Sequence, residues 1–568
     1  MFDSAAAIAA AAALASLISP ALAQWTLAPG GHTGVGAMQM SVASPTNVII
    51  IDKLEQNPLH DQNDRPVWAS IYSFKSNTVR PLHLTTNSFC ATGTWLSNGT
   101  LVNIGGNPMV SSTNTSAANG LQAMRMFNSC EDTENCDMHE WPKRVRLTSS
   151  RWYPSSVRLS DGSTMILGGA QGGSWTNSQQ LNNPSLEFFP PKNMNGYNGL
   201  QVPSQFLQDS LPHNLFPIMF LLPDNGIFVA ANKLAMKYNW QTNTENRLPN
   251  IPNGQTVTYP MSAASVLLPL RYKDNYRPEV LMCGGSELPD TMKENEVSSQ
   301  SPTSKQCSRM ALDDAGISAG WQTEQMPEGR VMTEAVILPT GLILTINGAK
   351  TGVAGYGNVP DQVGSSNADN PAFTPVLYDP DAPAGSRFSS EGMPTSNIPR
   401  MYHSVATLIP DGRVMIAGSN PNLDVEERKY KTEYQVEYLS PPYMTQARPT
   451  YSGLPETWNY GQVSSLQLAS NPGPGSIKAA LMDLGFSTHG VHMDQRMVEL
   501  PCELDKDGMH LKVTGPPNAA IYPPGRAWLF VIVDGVPSEA SMTLIGNGSG
   551  PPVDQGAIDN MLQNTGEP

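Results

Sequence analysis

Basic residues are scarce in this chain, and charged residues of any kind are few. Lys and Arg number 34 against 49 Asp and Glu, and charged residues make up 15% of the sequence, against about 25% in an average globular protein. A surplus of acidic side chains repels phosphate backbones, which argues against nucleic acid as a partner. Long apolar runs are also absent after residue 23, so we expect no membrane-spanning segment there.

The one long apolar run lies at the N-terminus. Residues 5–22 are small and apolar, and an A-x-A motif ends at Ala23, which is typical of a signal peptide. We therefore expect residues 1–23 to be a signal peptide and the mature protein to be secreted. An N-terminal membrane anchor is the alternative, but no basic cluster follows the run. Three sequons are candidates for glycosylation during export: Asn98, Asn114 and Asn547.

Cysteines are few, with six in 568 residues. In an exported protein an even number normally forms disulfides. Spacing predicts two local bridges: Cys130–Cys136 and Cys283–Cys307. Cys90 and Cys502 are left over, and spacing alone would join them to each other.

A recurring unit organises most of the chain. Each copy has an apolar strand, a turn that usually contains Asn-Gly or Asp-Gly, a second apolar strand and a small-residue ending. Such turns favour β-hairpins because Asn, Asp and Gly tolerate positive φ. The copies lie at residues 94–106, 157–169, 219–231, 264–285, 335–348 and 405–418, with a further hairpin at 36–52. The repeat predicts a seven-bladed kelch-type β-propeller over residues 24–440.

A second domain is expected after the propeller, because the pattern changes at Ser440, Pro441 and Pro442. Strand-like alternation then continues at 466–484, 497–513 and 528–545 without the glycine endings. We predict an immunoglobulin-like β-sandwich over residues 441–548. Residues 549–568 are polar and rich in Gly and Pro, and we expect a flexible tail with no lipid anchor.

Four short segments carry side chains that can bind a transition metal. They contain Cys90, Tyr153, Tyr402 with His403, and His489. The first three immediately precede repeat hairpins, so in a propeller they would converge near the axis. Imidazole and phenolate together favour Cu(II). Zinc is the less favoured alternative, because no second Cys or carboxylate accompanies them at structural-zinc spacing.

His492 is a competing metal ligand, since it lies three residues after His489. Side chains alternate along an extended chain, so the two imidazoles would face opposite sides. We expect His492 to stay outside the site. Tyr153 and Tyr402, taken singly, could equally be core aromatics whose hydroxyls are satisfied.

In combination, these segments resemble the galactose oxidase and glyoxal oxidase family of copper-radical oxidases. The likeness extends over nearly all of the chain after residue 23. It rests on Gly105-Gly106, on Tyr153 followed by Gly168-Gly169, on Tyr402-His403 running into Pro410-Asp411-Gly412, and on Thr488-His489 followed by Asp494-Gln495-Arg496.

The resemblance implies a role for each residue. Cys90 and Tyr153 would be joined by a thioether that carries a tyrosyl radical, Tyr402 would be the axial ligand and general base, and His403 and His489 would complete the site of one copper ion. The implied reaction oxidises small aldehydes such as glyoxal and methylglyoxal, as hydrates, to carboxylic acids, with O2 reduced to H2O2. The peroxide could supply secreted peroxidases.

One departure from galactose oxidase bears on the substrate. In that enzyme an indole stacks over the thioether, whereas here Gly168-Gly169 is followed by Ala170 and Gln171, and the nearest indole is Trp175. Gln171 and Trp175 are therefore candidates for the position beside the thioether, and we expect aldehydes to be preferred over galactose. A primary-alcohol or galactose-type oxidase is the alternative within the family. A non-catalytic kelch propeller that binds glycans or proteins is the alternative outside it.

Overall fold

The protein is described by a computed structural model that covers residues 24–108, 111–112, 115–129, 136–173 and 175–566. The expected signal peptide, Asn114 and Cys130 lie outside the described residues. β-Strands dominate the structure, as the sequence predicts. Within the described ranges, no helix combines the length and apolar character needed to cross a bilayer.

Among the described residues, seven antiparallel sheets of at least four strands follow one another along the chain before residue 441, and each contains one of the predicted hairpins. Sheets 1 to 4 consist of these strands: sheet 1, Gln39–Val42, Asn47–Ile51, Ala69–Ser73 and Thr78–Leu82; sheet 2, Thr92–Trp95, Thr100–Ile104, Met124–Asn128 and Met138–Glu140; sheet 3, Ser155–Arg158, Thr164–Leu167, Ser185–Phe189 and Val202–Pro203; sheet 4, Ile218–Leu221, Ile227–Ala231, Leu234–Asn239 and Thr244–Arg247.

The next three sheets repeat this pattern. Their strands are as follows: sheet 5, Ala263–Leu267, Glu279–Gly284, Gln306–Ala311 and Gln322–Gln325; sheet 6, Glu334–Ile337, Ile343–Ile346, Val376–Tyr378 and Phe388–Ser389; sheet 7, Ser404–Leu408, Val414–Gly418, Gln435–Ser440 and Thr26–His32. The outer strand of sheet 7 thus comes from the beginning of the described chain. This pairing ties the first strand to the last sheet.

The turns explain why the hairpins form where the sequence predicts them. Gly99 has φ of 80°, a conformation that costs glycine little, and it reverses the chain between Thr92–Trp95 and Thr100–Ile104. Both strands are fully buried. Burial on both faces fits the absence of charged residues from both strands.

The C-terminal domain contains two sheets. One consists of Leu270–Arg271, Arg496–Leu500, Ile477–Asp483, Gly525–Val533, Ser541–Ile545 and Thr457–Trp458, with Val536–Pro537 beside Gly525–Val533; the other consists of Tyr451–Ser452, Val463–Leu468, His510–Thr514 and Cys502–Leu504. Val463–Leu468 alternates exposed and buried residues, as expected for a strand with one face in the core. A buried ion pair between Arg158 of sheet 3 and Asp483 links the two domains.

The structure also contains shorter hairpins and helices outside these sheets. A two-stranded hairpin pairs Ala349–Tyr356 with Ser366–Pro371, and another pairs Ser111–Ser112 with Thr115–Ser116. The α-helices of the described chain are Gln205–Asp209, Asp314–Ala319 and Gln555–Asn564, and its 3-10 helices are Pro252–Gly254, Tyr272–Asp274, Glu294–Glu296 and Pro442–Thr445.

The tail differs from the prediction of a flexible segment, because it contains the helix Gln555–Asn564. Asp554 caps its N-terminus by accepting a hydrogen bond from the Ala557 backbone. Ala557 and Met561 are buried against the rest of the protein. The Arg146 guanidinium donates to the Thr565 carbonyl oxygen just after the helix. Two buried side chains one turn apart are too weak a pattern to predict this helix from sequence.

The cysteines fall into two groups. The structure joins Cys283 and Cys307 by a disulfide, and Cys136 is also disulfide-bonded. Cys90 and Cys502 both carry free thiols, so the bridge that spacing alone would draw between them is not formed. Two of the sequon asparagines, Asn98 and Asn547, are exposed.

Candidate metal centre

Cys90, Tyr153 and His403 each lie one or two residues before the first strand of a sheet. Each of them has an unusual backbone conformation. The φ angles are 54° at Cys90, 59° at Tyr153 and 61° at His403, and His489 at a hairpin tip has 54°. Non-glycine residues seldom adopt this left-handed region, which costs on the order of 1–3 kcal/mol. The adjoining strands must hold these side chains in place.

The four side chains meet Tyr402 in one buried cluster. Cys90 Sγ lies 3.2 Å from His489 Nε2 and 4.0 Å from the Tyr402 hydroxyl oxygen. The hydroxyl oxygens of Tyr153 and Tyr402 are 3.1 Å apart. Ligand atoms of Cys90, His403 and His489 all lie within 4.8 Å of one another. All five side chains are at most 3% exposed, so the structure brings every predicted ligand to one place.

Both ring nitrogens of His403, Nδ1 and Nε2, are buried and lack a hydrogen bond among the described residues. The ring stacks on Tyr402 with centroids 3.8 Å apart. Burial, followed by the nearby His489, holds the pKa of His403 well below its usual value. An unpaired buried polar atom costs roughly 1–3 kcal/mol. A metal ion bound to the neutral imidazole would remove that cost, so the site fits a metal.

His489 is held in a tautomer suited to metal binding. The Thr488 hydroxyl donates its single proton to the Met38 carbonyl oxygen at 3.0 Å and lies 2.6 Å from His489 Nδ1. Because that proton is already used, Nδ1 must carry the hydrogen and donate it to Thr488. Nε2 then keeps its lone pair, as in metal sites where a second hydrogen bond orients the imidazole.

The phenols and the thiol need a cation in order to ionise. Burial is the largest cause that raises the pKa of Tyr153, of Tyr402 and of Cys90 well above their ordinary values. Without a metal the neutral forms are therefore favoured. A bound divalent cation reverses this preference, because it stabilises the phenolate charge. Two phenolates and two imidazoles form a ligand set that copper(II) accepts.

A hairpin from the C-terminal domain delivers His489. Its strands, Phe486–Thr488 and Val491–Met493, extend sheet 1 at the edge formed by Gln39–Val42. The Ser487 hydroxyl donates to Glu334 Oε1 at 2.8 Å, which ties the hairpin to sheet 6. The site is therefore assembled from both domains.

Removing the Thr488 hydroxyl is expected to weaken metal binding. Thr488→Val keeps the shape of the side chain but leaves Nδ1 of His489 without its acceptor. Loss of such an orienting contact typically lowers metal affinity about 10–100-fold, and chelator competition with copper would measure it. Thr543→Val is a matched control, because Thr543 is equally buried and donates to the Pro455 carbonyl oxygen in the C-terminal sandwich. Equal copper affinities for the two variants would refute the assignment of the tautomer.

Glu334 should make stability depend on pH. Burial raises its pKa from 4.5 to about 8, against the opposing effect of the Ser487 and Gly490 hydrogen bonds. The folded state therefore holds a proton that the unfolded chain has lost between these pH values, so stability falls as pH rises from 4.5 to 8. In Glu334→Gln the free energy of unfolding should lack this decrease with pH, which amounts to up to roughly 4 kcal/mol in the wild type. Urea unfolding of both proteins from pH 5 to 9 would show it, and parallel pH profiles would contradict it.

Other predicted residues lie outside the cluster. His492 is buried, and its Nε2 lies 2.8 Å from the Leu484 carbonyl oxygen, to which it donates. Gln171 is exposed at the surface, with its amide donating to the Asn182 carbonyl oxygen. Trp175 is buried, and its indole donates to the Ala354 carbonyl oxygen at 2.8 Å.

The ring that stacks on Tyr153 belongs to a residue outside the four predicted segments. Tyr259 takes this position, with ring centroids 4.5 Å apart and an angle of 27° between the planes. Phe216 meets the edge of Tyr153 at 5.2 Å. Both residues immediately precede a proline at the entrance to a sheet, as Tyr153 does. That shared Tyr/Phe-Pro pattern is the signal that could have identified them.

Comparisons with known proteins cover both parts of the chain. A family model described as the glyoxal oxidase N-terminus matches residues 43–443, and one described as the galactose oxidase-like early set domain matches residues 448–545. An aldehyde oxidase GLOX of Vitis pseudoreticulata is 31% identical over 90% of this chain and 94% of its own length. Aldehyde oxidase GLOX1 of Arabidopsis thaliana is 33% identical over 84% of this chain and 75% of its own length.

A solved structure shares the fold. A fungal alcohol oxidase of the AA5 family, in complex with copper, superposes with a TM-score of 0.68 over 93% of this chain and 100% of its own, at 16% identity. The two family models together span most of the chain, and the two relatives match it over 94% and 75% of their own lengths. The chain belongs to the glyoxal oxidase family of oxidases.

Proposed function

We propose that this chain is an extracellular copper-radical oxidase of small aldehydes, with residues 1–23 as its signal peptide. The seven sheets would be the blades of a kelch-type propeller over residues 24–440, closed by the pairing of the first strand with sheet 7. The sandwich over residues 441–548 would supply His489. Exposed Asn98 and Asn547 would be glycosylated, and Cys130 would pair with the disulfide-bonded Cys136.

One observation carries the proposal. Tyr153, Tyr402, His403 and His489 meet beside the free thiol of Cys90 in a buried site, and the imidazole of His403 has no partner among the described residues. Burying this set without a ligand is costly. A glycan-binding or protein-binding propeller has no use for such a set beneath its surface.

Two one-electron oxidants are needed, since the reaction removes two electrons. When bound, copper supplies one of them, together with a Lewis-acid position that makes a substrate O–H more acidic. The second would be a radical on Tyr153, stabilised by a thioether to Cys90. The backbone amide of Tyr153 donates to the Cys90 carbonyl oxygen at 3.2 Å, which keeps the two residues adjacent.

The chain's own side chains would move the proton and the hydrogen atom. Tyr402 as phenolate accepts the acidic O–H proton of the aldehyde hydrate. The oxidised Tyr153 then takes the hydrogen atom from the adjacent carbon. The sum is aldehyde + H2O + O2 giving carboxylic acid + H2O2, in which O2 takes up two electrons and two protons. The released peroxide would be available to secreted peroxidases.

A substrate panel tests this function. Copper-loaded protein, activated by a one-electron oxidant, should consume O2 and release peroxide about 10-fold or more faster with glyoxal or methylglyoxal than with galactose. The expected preference is limited, because another ring in place of the galactose oxidase indole changes one packing contact, which is worth only about 1–3 kcal/mol. Oxygen-electrode and peroxide assays would measure kcat/KM for each compound. If galactose or benzyl alcohol were turned over as efficiently as methylglyoxal, the result would favour the alternative function, that of a primary-alcohol or galactose-type oxidase.

A further inference from the structure

A buried group of charged side chains lies in the loop that follows the strand Asn47–Ile51 of sheet 1. Asp52, Lys53 and Glu55 are at most 2% exposed, and the Lys53 ammonium donates to the Glu55 carboxylate. Lysine and glutamate are seldom buried unless they are paired, and a buried ion pair is weak evidence of a gain in stability. The contacts of this charged loop, residues 52–55, therefore have to explain why the pair is there.

Glu55 is linked to the segment that carries Tyr402 and His403. Both oxygens of its carboxylate accept from the side-chain amide of Asn420, at 3.1 and 2.8 Å. The backbone amide of Asn420 donates in turn to the Tyr402 carbonyl oxygen at 2.8 Å. Glu55 and Asn420 are 365 residues apart in the chain, so this contact joins the end of a strand in sheet 1 to the end of one in sheet 7.

The side chain of Asn420 is fixed in one orientation. It is 1% exposed, and its oxygen accepts from the Asn422 side-chain amide at 3.1 Å and from the Thr432 hydroxyl at 3.0 Å. A carboxylate can only accept, so the Asn420 nitrogen must face Glu55. The position of Glu55 is thereby passed on to the backbone of Tyr402.

The charged loop also contacts the segment that carries Cys90. The Ser88 hydroxyl donates to the Asp52 carbonyl oxygen at 2.6 Å. Burial is the largest cause of the raised pKa of Cys90 and of the lowered pKa of His403, and the charge of Lys53 lowers both. The ammonium is therefore close enough for its charge to act on two of the predicted ligands.

We propose that Glu55 is a positioning residue of the copper site, which holds the backbone of Tyr402 and His403 through Asn420. This inference rests on the proposed function. The φ of 61° at His403 belongs to a strained conformation that persists only where surrounding contacts enforce it, and the Glu55–Asn420 contact is one of these. Lys53 supplies the counter-charge that a buried carboxylate needs.

Exchanging the two side chains of this contact tests the proposal. Asn420→Asp places a second carboxylate against that of Glu55, so copper affinity should fall about 10-fold or more. When Asn420→Asp is combined with Glu55→Gln, the amide and the carboxylate trade places, and most of the affinity should return. Asn420→Ala removes the contact without adding charge and should also lower the affinity. Glu324→Gln is the matched control, because it breaks the ion pair of Glu324 with Arg387 in the outer strand of sheet 5.

Chelator competition would measure copper affinity, the electron paramagnetic resonance spectrum of Cu(II) would report the ligand geometry, and urea unfolding of the copper-free proteins would report their stability. We expect weaker binding and an altered spectrum in Asn420→Asp and Asn420→Ala, recovery in the double variant, and wild-type values in Glu324→Gln. If Asn420→Asp does not fold, Asn420→Ala carries the test.

A contact that only stabilises the fold would lower the free energy of unfolding and leave the spectrum unchanged. Wild-type copper affinity and spectrum in the folded single variants would therefore overturn the inference and leave the oxidase proposal intact. A folded double variant that binds copper as weakly as Asn420→Asp would do the same. A wild-type protein that binds no copper would overturn both.

Discussion

Replacing His403 or His489 by alanine is expected to abolish oxidase activity and to lower copper affinity by more than about 100-fold, which exceeds the effect of losing an orienting contact. Each imidazole is buried in the cluster and can offer a nitrogen to a metal. The ring nitrogens of His403 have no hydrogen-bond partner among the described residues, and His489 presents Nε2 towards Cys90 Sγ at 3.2 Å, inside the cluster. Copper content after dialysis and oxygen uptake with methylglyoxal would measure both effects.

His492→Ala is the control for this pair. It removes an equally buried imidazole three residues from His489, and the hydrogen bond lost is the one to the Leu484 carbonyl oxygen. Burial lowers the pKa of His492 to about 4, as it lowers that of His489 to about 3, so both are neutral at pH 7. The control should keep most of its copper and activity. If His492→Ala lost copper and His489→Ala retained it, His492 and not His489 would be the metal ligand.

Cys90→Ser should leave copper binding largely intact and reduce turnover by on the order of 10³-fold or more, as expected when one member of a catalytic unit is removed. The serine oxygen cannot form the thioether that stabilises the Tyr153 radical. The radical absorption band should be lost after oxidation, while Tyr402, His403 and His489 still bind the metal.

Cys502→Ser provides the comparison. Cys502 is the other free thiol of the described chain, half-buried in the four-stranded sheet of the C-terminal domain. The Cys502→Ser variant should retain full turnover and the radical absorption band. Equal activity of Cys90→Ser and the wild type would remove the thioether from the mechanism.

The sequence predicts much of the fold because its signals are local. Asn98-Gly99 specifies a turn, and the apolar strands on either side of it specify a hairpin, without reference to the rest of the chain. The same holds for the other repeats. The candidate metal ligands could be picked out because Tyr153 and His403 adjoin such hairpins, and because the segments around them resemble those of a known family.

What the sequence did not reveal depends on distant contacts. Tyr259 is 106 residues from Tyr153, and only the arrangement of the sheets brings the two rings together. Gln171 and Trp175 were chosen by proximity along the chain, whereas the stacked ring comes from another sheet. The helix Gln555–Asn564 depends in the same way on its contacts with the rest of the protein.

Peptide mass mapping of the copper-loaded wild-type protein tests the central claim most directly. After copper and O2 treatment, the peptides that contain Cys90 and Tyr153 should be joined, with a mass lower by two hydrogens than their sum. Copper-free protein should yield them separately. Finding Cys90 as a free thiol in active, copper-loaded enzyme, or in a disulfide with Cys502, would contradict the copper-radical account.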